Sequence, residues 1–258
     1  MSTATVDVET RGPVAIVTLN RPAQSNTLSL QMGMDLLAAA MTCARSPVVR
    51  AVVLTGAGQN FCFGGDLRGM TNKGGAEAHL RELTSYLHAA ISLFVRMDPP
   101  VIAAVRGTTA AAGIGLVAMA DLAVAAESAR FNLAYTGVGL TPDAGTSFLL
   151  PRAVGVRRAM ELMLLNRSLS AEEALSWGLV NRVVPDAQVL EAALALAEKL
   201  ATGPTRAFGK VKRLVAQSLG ALESQMVLEA ETIAGQAASA EGAEGISAFL
   251  AKRKPVYP

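Results

Sequence analysis

The segment at residues 101–121 constrains this chain most, because an apolar strand ends in a turn and then continues as a helix with almost no side-chain bulk. The strand pattern Val-Ile-Ala-Ala-Val ends before Gly107, and residues 110–115 read Ala-Ala-Ala-Gly-Ile-Gly. The first N–H groups of a helix lack partners and carry the positive end of its dipole, and small residues let a ligand approach them closely. The segment predicts either a helix packed tightly against a sheet or a backbone site for a polarised oxygen.

The flanking sequence predicts an α/β fold. Residues 14–19 and 49–55 are β-rich, and between them a helix capped by Ser29 runs to about residue 44, with apolar residues on one face. A strand, a helix and a strand at this spacing indicate parallel pairing. The other predicted elements are a helix from residue 79 to Pro99, a strand at 122–126, helices at 155–166 and 171–178, a strand at 180–184, and helices at 186–201, 205–220 and 221–239.

Composition narrows the function classes. Of the 258 residues, 51% are hydrophobic and 17% are charged, so the chain is long and apolar enough for a large core. A net charge of +2 argues against a nucleic-acid partner or an anionic membrane surface, and no uncharged apolar run reaches the length of a membrane span. Cys43 and Cys62 lack the spacing of a metal site, and no signal peptide is visible. We expect a cytoplasmic protein with free thiols and no dedicated metal site.

A glycine-rich loop follows the second predicted strand, with the sequence Asn-Phe-Cys-Phe-Gly-Gly-Asp-Leu at residues 60–67. Two adjacent glycines between aromatic residues and an acid indicate a backbone that turns sharply or approaches another group closely. The pattern favours burial of one phenylalanine beside a ligand, and a plain surface loop is the alternative.

Two ionisable residues are candidates for chemistry. Asp143 lies among apolar, glycine and proline neighbours, where burial would raise the pKa of its carboxyl and suit it for proton transfer. A role as the N-cap of a helix beginning at Ala144 is the alternative. His88 lies at the edge of the apolar face of the helix that starts at residue 79, and both a structural and a catalytic role are open.

A dinucleotide motif is present only in loose form. The residues Gly-Ile-Gly-Leu-Val-Ala at 113–118 fit the pattern G-x-G-x-x-A. That motif directly follows its strand in a dinucleotide site, whereas residues 106–112 intervene in this chain. The spacing therefore argues against a nucleotide cofactor.

Several segments together resemble one family, the crotonase (enoyl-CoA hydratase/isomerase) superfamily. The matching segments are Arg21-Pro22 with Asn26–Leu28, then 60–67, 107–121, 171–180 and 249–255. The resemblance implies a right-handed spiral of ββα turns, with residues 1–200 as the acyl-CoA-binding core. It also implies that residues 201–258 form a helical trimerisation region, and that the chain assembles as a homotrimer or a dimer of trimers.

The resemblance also implies where a substrate would bind. Members of the family hold an acyl-CoA thioester carbonyl between two backbone N–H groups, which by position are those of Gly65 and Ala112 here. No metal or redox cofactor is implied, because the thioester itself activates the α carbon. Phe249 and Lys252 resemble residues that reach the CoA of a neighbouring subunit. The positions that match CoA- or substrate-binding residues are Ala23, Gln24, Phe61, Phe63, Gly64, Asp66, Leu67, Tyr135, Phe249 and Lys252.

Departures from the family pattern bear on the reaction. The hydratases of the family use two glutamates, whose positions are occupied here by Gly115 and Tyr135. Asp143 falls where a subset of isomerases, including the ring-epoxide isomerases of phenylacetyl-CoA breakdown, carries a single aspartate. The resemblance therefore predicts an isomerase that shifts a double bond by proton transfer through Asp143, with His88 as an auxiliary candidate.

Three alternatives stay open. In the related chlorobenzoyl-CoA dehalogenases an aspartate at the Asp143 position is the nucleophile and a histidine at the His88 position is the base, so covalent dehalogenation or hydrolysis is one. Tyr135 and Leu87, however, stand where those enzymes carry tryptophans. The second alternative is an enoyl-CoA hydratase, and the third is a catalytically silent CoA-binding member.

Overall fold

The computed structural model describes residues 4–71, 75–215 and 219–258. A six-stranded sheet, in the order β1-β2-β3-β4-β6-β9, and a three-stranded sheet, in the order β5-β7-β8, form its β structure. The strands are β1 (Val6–Arg11), β2 (Val14–Leu19), β3 (Ala51–Gly56), β4 (Val101–Val105), β5 (Thr108–Ala110), β6 (Leu122–Ala126), β7 (Arg130–Asn132), β8 (Leu169–Ser170) and β9 (Arg182–Val184).

The large sheet is parallel from β2 to β9, which confirms the predicted parallel pairing, while β1 adds an antiparallel edge. Every residue of β3 and β4 is buried, as expected for strands with helices on both faces of a sheet. The continuous apolar runs at residues 51–54 and 101–105 therefore mark the centre of the core.

Ten α-helices lie in the described part of the chain. They are α1 (Leu30–Arg45), α2 (Gly75–Arg96), α3 (Ala112–Ala118), α4 (Thr146–Val154), α5 (Val156–Leu165), α6 (Ala171–Trp177), α7 (Val189–Ala201), α8 (Thr205–Val215), α9 (Leu219–Ala237) and α10 (Ala240–Leu250). The helix α7 packs across β2, β3, β4 and β6, and α2 packs against α1 and α9. Within the described ranges, no helix is both long and apolar enough to cross a membrane.

Local sequence signals account for several helix ends. The predicted cap at Ser29 is confirmed, because its side chain accepts a hydrogen bond from the Met32 N–H at the start of α1. Ser170 and Glu173 form a reciprocal capping box at the start of α6. Cys43 and Cys62 are free, as predicted, and both are buried.

Some predicted boundaries were wrong. The helix expected from residue 79 begins at Gly75, four residues earlier, and an ion pair between Glu77 and Arg81 stabilises its added turn. The helices predicted at 205–220 and 221–239 are α8, which ends at Val215, and α9, which begins at Leu219; residues 216–218 lie outside the described ranges.

The strand β5 carries the chain from the large sheet to α3 and positions the small residues at 110–115. Thr109 in β5 pairs with Cys62 in a parallel bridge, and the Ala110 N–H donates to the Cys62 carbonyl. This pairing places the glycine loop at 60–67 beside the start of α3.

Candidate active site

A cavity of about 640 Å³ opens where the glycine loop, the start of α3 and α2 meet. Most of the residues predicted to form the site line it: Ala23, Gln24, Phe63, Gly65, Asp66, Leu67, Ala112, Tyr135, Asp143, Phe249 and Lys252.

Three predicted residues do not line it. The Phe61 side chain is fully buried in the core, Gly64 packs its backbone against the 110–112 segment, and His88 lies behind the cavity wall, where it contacts the backbone next to Asp143.

The backbone register aims the Gly65 N–H away from its neighbouring strand. Leu28 bridges Gly65 in parallel fashion: the Leu28 N–H donates to the Gly64 carbonyl, and the Asp66 N–H donates to the Leu28 carbonyl. In such a bridge the middle residue turns its own N–H and carbonyl to the opposite side. The Gly65 N–H therefore has no acceptor within the described chain and is available to a ligand in the cavity.

An unusual backbone conformation precedes the Ala112 N–H. Ala111 has a φ of 47° and a ψ of −123°, a combination that strongly favours glycine, while its own N–H donates to the Asn132 carbonyl. Ala112 is the first residue of α3, so its N–H has no partner inside the helix. Strain held at this position is consistent with a backbone that is directed toward a ligand rather than toward the core.

The glycine at position 64 lets the two segments approach each other. A Cβ there would lie 2.6 Å from the Ala111 Cβ and 3.2 Å from the Ala112 nitrogen, and Gly64 has a φ of 79°. No larger residue fits this conformation and this spacing. The Gly65 and Ala112 N–H groups therefore lie on adjacent segments, as two donors that share one oxygen require.

An ion pair and a buried amide hold the glycine loop in place. Arg21 pairs with Asp66 at 3.0 Å and also donates to the Thr27 carbonyl at 2.6 Å, and the two charged side chains are less than one-fifth exposed. Asn26 is fully buried, and its amide group donates to the carbonyls of Ala57 and Asn60. Sequence reasoning assigned Arg21 and Asn26 only to the family motif, and the structure shows that they brace the loop.

Asp143 is the buried acid of the cavity. Its Oδ1 accepts a hydrogen bond of 2.6 Å from the Tyr135 hydroxyl. Burial raises the pKa of the Asp143 carboxyl to about 6, against a lowering by the Tyr135 hydrogen bond, and burial beside this anion raises the pKa of the Tyr135 phenol. Near neutral pH the carboxyl can thus both accept a proton and give one back.

The alternative role for Asp143 as a helix N-cap was wrong. The helix α4 begins at Thr146, its N-cap is Gly145, and Asp143 contributes only a backbone carbonyl, which accepts from the Thr146 N–H. Ala144 and Gly145 both have positive φ values and turn the chain between Asp143 and the helix. The Asp143 side chain is therefore free to face the cavity.

The ring of His88 contacts the backbone of the Asp143 turn. Its Nε2 accepts a 3.1 Å hydrogen bond from the Ala144 N–H. Burial lowers the pKa of His88 to about 4, so the ring is neutral at physiological pH. In this arrangement His88 holds the residue that follows Asp143.

Gly115 leaves no room for a side chain. A Cβ at this position would lie 2.5 Å from the Ala144 carbonyl oxygen and 2.8 Å from Thr146 Oγ1. The turn that carries Asp143 therefore occupies the space next to α3 in which a side chain at position 115 would stand. A glutamate at 115 and an Asp143 turn of this shape exclude each other.

A buried acid that the sequence analysis missed lies behind the same turn. Glu229 on α9 accepts hydrogen bonds from the Gly145 N–H at 2.7 Å and the Ser147 N–H at 2.9 Å, and also from the Ser147 hydroxyl. Burial raises the pKa of Glu229 to about 7, and the Asp143 anion adds to this rise. A signal was present, because Glu229 keeps helical spacing with the buried residues Leu222, Met226 and Ile233.

The chain end contributes to the outer part of the cavity. Phe249, Leu250, Lys252 and Arg253 line it, and Arg253 is paired with Glu244 at 2.6 Å. These residues lie at the cavity of their own chain in this structure. The predicted contact of Phe249 and Lys252 with the CoA of a neighbouring subunit stays a prediction.

Comparison with known sequences relates the chain to one enzyme family. The sequence model of the enoyl-CoA hydratase/isomerase family matches residues 9–258. The chain is 38% identical over 249 residues to a 1,2-epoxyphenylacetyl-CoA isomerase of Escherichia coli K12, covering 95% of this chain and 94% of the relative. It is 36% identical over 250 residues to a 4-chlorobenzoyl coenzyme A dehalogenase of Arthrobacter, covering 96% of this chain and 91% of that one.

Solved structures share the fold. An enoyl-CoA hydratase from Mycobacterium avium subsp. paratuberculosis superposes with a TM-score of 0.89 at 32% identity, and 99% of each chain is covered. The mixed α/β architecture described above is therefore the crotonase fold. From the family match over nearly its whole length, this chain is a member of the enoyl-CoA hydratase/isomerase family.

Proposed function

We propose that this enzyme shifts a carbon–carbon double bond in an acyl-CoA thioester, with Asp143 transferring the proton. The observation that carries the proposal is the distribution of acids around the cavity. Of its lining residues in the described part of the chain, two are acids, and one of these, Asp66, is paired with Arg21. Asp143 is the remaining carboxylate, buried and with a pKa raised to about 6.

In the proposed reaction the thioester oxygen lies between the N–H groups of Gly65 and Ala112. The Asp143 carboxylate removes a proton from the α carbon, and the resulting enolate oxygen is stabilised by the two N–H donors, each worth roughly 3–4 kcal/mol in comparable sites. The protonated Asp143 then returns the same proton to the γ carbon. The electron pair moves along the chain, so the double bond shifts by one position without a net gain or loss of atoms.

Two features favour this reaction over hydration. Addition of water calls for one group that takes a proton from water and another that gives a proton to the α carbon. The family's two glutamate positions hold Gly115, which has no space for a side chain, and Tyr135, which donates to Asp143. One carboxylate, by contrast, is sufficient for proton transfer from one carbon to another. We propose that no metal or redox cofactor takes part, because the thioester already acidifies the α carbon.

The similarity to a 4-chlorobenzoyl-CoA dehalogenase keeps covalent catalysis by Asp143 as the second candidate. In that reaction an Asp143 oxygen would bond to the acyl group, chloride or another leaving group would depart, and water would cleave the ester. Water activation by His88 is disfavoured, because its Nε2 already accepts the Ala144 N–H and the residue does not line the cavity.

A panel of acyl-CoAs of different chain length and ring content tests the proposal, with double-bond shift, water addition and loss of thioester or halide measured in parallel. We expect a double-bond shift that is lost in Asp143→Asn. A single turnover in H₂¹⁸O followed by mass spectrometry of the Asp143 peptide separates the candidates, because label in Asp143 would show a covalent ester and overturn the isomerase proposal. Acyl-CoA binding without turnover of any panel member would indicate a silent member.

A further inference from the structure

The turn that carries Asp143 has a backbone conformation that its local sequence disfavours. Ala144 has a φ of 58° and Gly145 a φ of 71°, so two consecutive residues adopt the left-handed region, and one of them is not glycine. The following helix, α4, has no side-chain cap from its own N-cap residue. Contacts from elsewhere in the chain therefore add to the local bond from the Thr146 N–H to the Asp143 carbonyl in holding the turn.

Two distant helices provide those contacts at consecutive peptide groups. His88 on α2 accepts from the Ala144 N–H, and Glu229 on α9 accepts from the Gly145 N–H. Glu229 also accepts from the Ser147 N–H and hydroxyl, and Gln225, one helical turn earlier, donates to the Ser147 hydroxyl. A carboxylate at this place meets unpaired N–H groups at the start of α4, where negative charge is favourable.

We propose that Glu229 is a positioning residue for Asp143: its carboxylate fixes the Ala144–Gly145 turn and thereby keeps the Asp143 side chain aimed into the cavity. The inference rests on the proposed proton-transfer role of Asp143 and extends it to the C-terminal helical region. Glu229 does not line the cavity, so it acts through the backbone and not on the substrate. Loss of its hydrogen bonds frees the Gly145 N–H, and the turn can relax toward a conformation with negative φ.

The Tyr135 hydroxyl is a second contact that fixes Asp143, and it binds the carboxylate itself. It fixes Asp143 Oδ1 only while the turn keeps the carboxylate within hydrogen-bond reach. A displacement of the turn by about 1 Å is enough to lower a proton-transfer rate by roughly 100-fold. The position of the base thus depends on a residue 84 positions away from Gly145 in the chain.

The test compares Glu229→Gln with Glu231→Gln in the full-length enzyme. Both positions are on α9, and Glu231 is exposed, so the second variant controls for loss of charge from the helix. Glutamine at 229 keeps one acceptor oxygen but turns an amide donor toward an N–H group. We expect kcat to fall by about 10- to 100-fold with KM changed by less than about threefold, and we expect the Glu231→Gln enzyme to match wild type.

Ser147→Ala separates positioning from stability. This variant removes the hydroxyl bonded to Glu229 and Gln225 but keeps both N–H bonds to the carboxylate, so it should lower Tm while kcat stays within about twofold. Equal kcat losses in Ser147→Ala and Glu229→Gln would mean that the site responds to general loosening, and that result would overturn the proposal. Unchanged kcat in folded Glu229→Gln would overturn it as well.

Two measurements keep the inference independent of enzyme activity. In the wild-type protein the Gly145 amide proton should exchange with solvent much more slowly than that of Gly137. Fast exchange at Gly145 would contradict a stable hydrogen bond from its N–H to Glu229. If the wild-type enzyme shifts no double bond, the proposed function fails, and a crystal structure of Glu229→Gln then decides the inference. Retention of the Tyr135–Asp143 hydrogen bond and of the turn in that structure would overturn it.

Discussion

The Tyr135 hydroxyl donates a 2.6 Å hydrogen bond to Oδ1 of Asp143, and both side chains are buried. The pair combines two opposing effects on one acid. Burial raises the pKa of Asp143, while the phenol lowers it by stabilising the anion. The result, about 6, is suited to a group that must be a base in one step and an acid in the next.

Replacement of Tyr135 by phenylalanine should move the pH dependence of the reaction. The hydrogen bond lowers the pKa of Asp143, so its loss should raise that pKa above about 6. Because the ionised carboxylate is the proposed base, the acidic limb of the kcat/KM profile should shift to higher pH. Initial rates between pH 5 and 9 measure this, and an acidic limb at the wild-type position would show that Asp143 is not the titrating base.

Asp143→Asn should lose activity and gain stability at neutral pH. The pKa of the buried carboxyl is raised from its ordinary value of 3.8 to about 6, so the folded state binds more protons than the unfolded state between these values. Ionisation of Asp143 therefore lowers the free energy of unfolding of the wild-type protein. This loss of stability grows as the pH rises from 3.8 to about 6 and is complete at higher pH.

A shift of this size corresponds to about 3 kcal/mol as an upper limit. We expect urea unfolding at pH 8 to show Asp143→Asn more stable than wild type by about 1–3 kcal/mol, with the difference disappearing near pH 4. An advantage of equal size at both pH values would indicate a packing effect instead of ionisation.

The Arg21–Asp66 ion pair should contribute to both stability and turnover, because its two side chains are largely buried. Arg21→Met removes the pair and the hydrogen bond to the Thr27 carbonyl, so the loop that presents the Gly65 N–H is expected to loosen. Stability should fall by about 1–2 kcal/mol and kcat by about tenfold.

The matched control is Arg11→Met, which removes an exposed pair with Glu9 on the edge strand β1. We expect that variant to behave as wild type in unfolding and in turnover, because exposed pairs are screened by solvent. Equal effects of the two substitutions would argue against a role for Arg21 in the glycine loop.

Gly115→Ala should damage the site through the turn that it contacts. The added Cβ would lie 2.5 Å from the Ala144 carbonyl oxygen, so either α3 or the Asp143 turn must move. We expect a loss of about 1–3 kcal/mol in stability and at least a tenfold loss in kcat.

Gly235→Ala provides the comparison, since a Cβ at that position in α9 has open space around it. Alanine favours a helix over glycine by up to about 1 kcal/mol, so this variant should be unchanged or slightly more stable. Full activity in Gly115→Ala would show that the close contact with Ala144 does not control the position of Asp143.

Much of the architecture was accessible from periodicity and capping patterns. Continuous apolar runs at residues 51–54 and 101–105 indicate strands that are buried on both faces of a sheet. The hydroxyl of Ser29 indicates the start of a helix. The proposed roles of Gly65 and Ala112 as backbone donors came from family resemblance, because every residue except proline carries an N–H group and the sequence alone does not show which of them faces a ligand.

The sequence by itself determined the α/β class, the small residues at the start of α3 and the presence of an isolated acid at position 143. Only the tertiary structure decided which groups that acid meets. Tyr135 lies eight residues from Asp143, but Glu229 lies 84 residues from the Gly145 N–H that it binds. Such contacts arise when helices pack around a turn. They therefore leave no periodic pattern in the sequence and do not follow from the local propensity of any segment. The chemistry at Asp143 is therefore set by packing that the chain acquires only when it is folded.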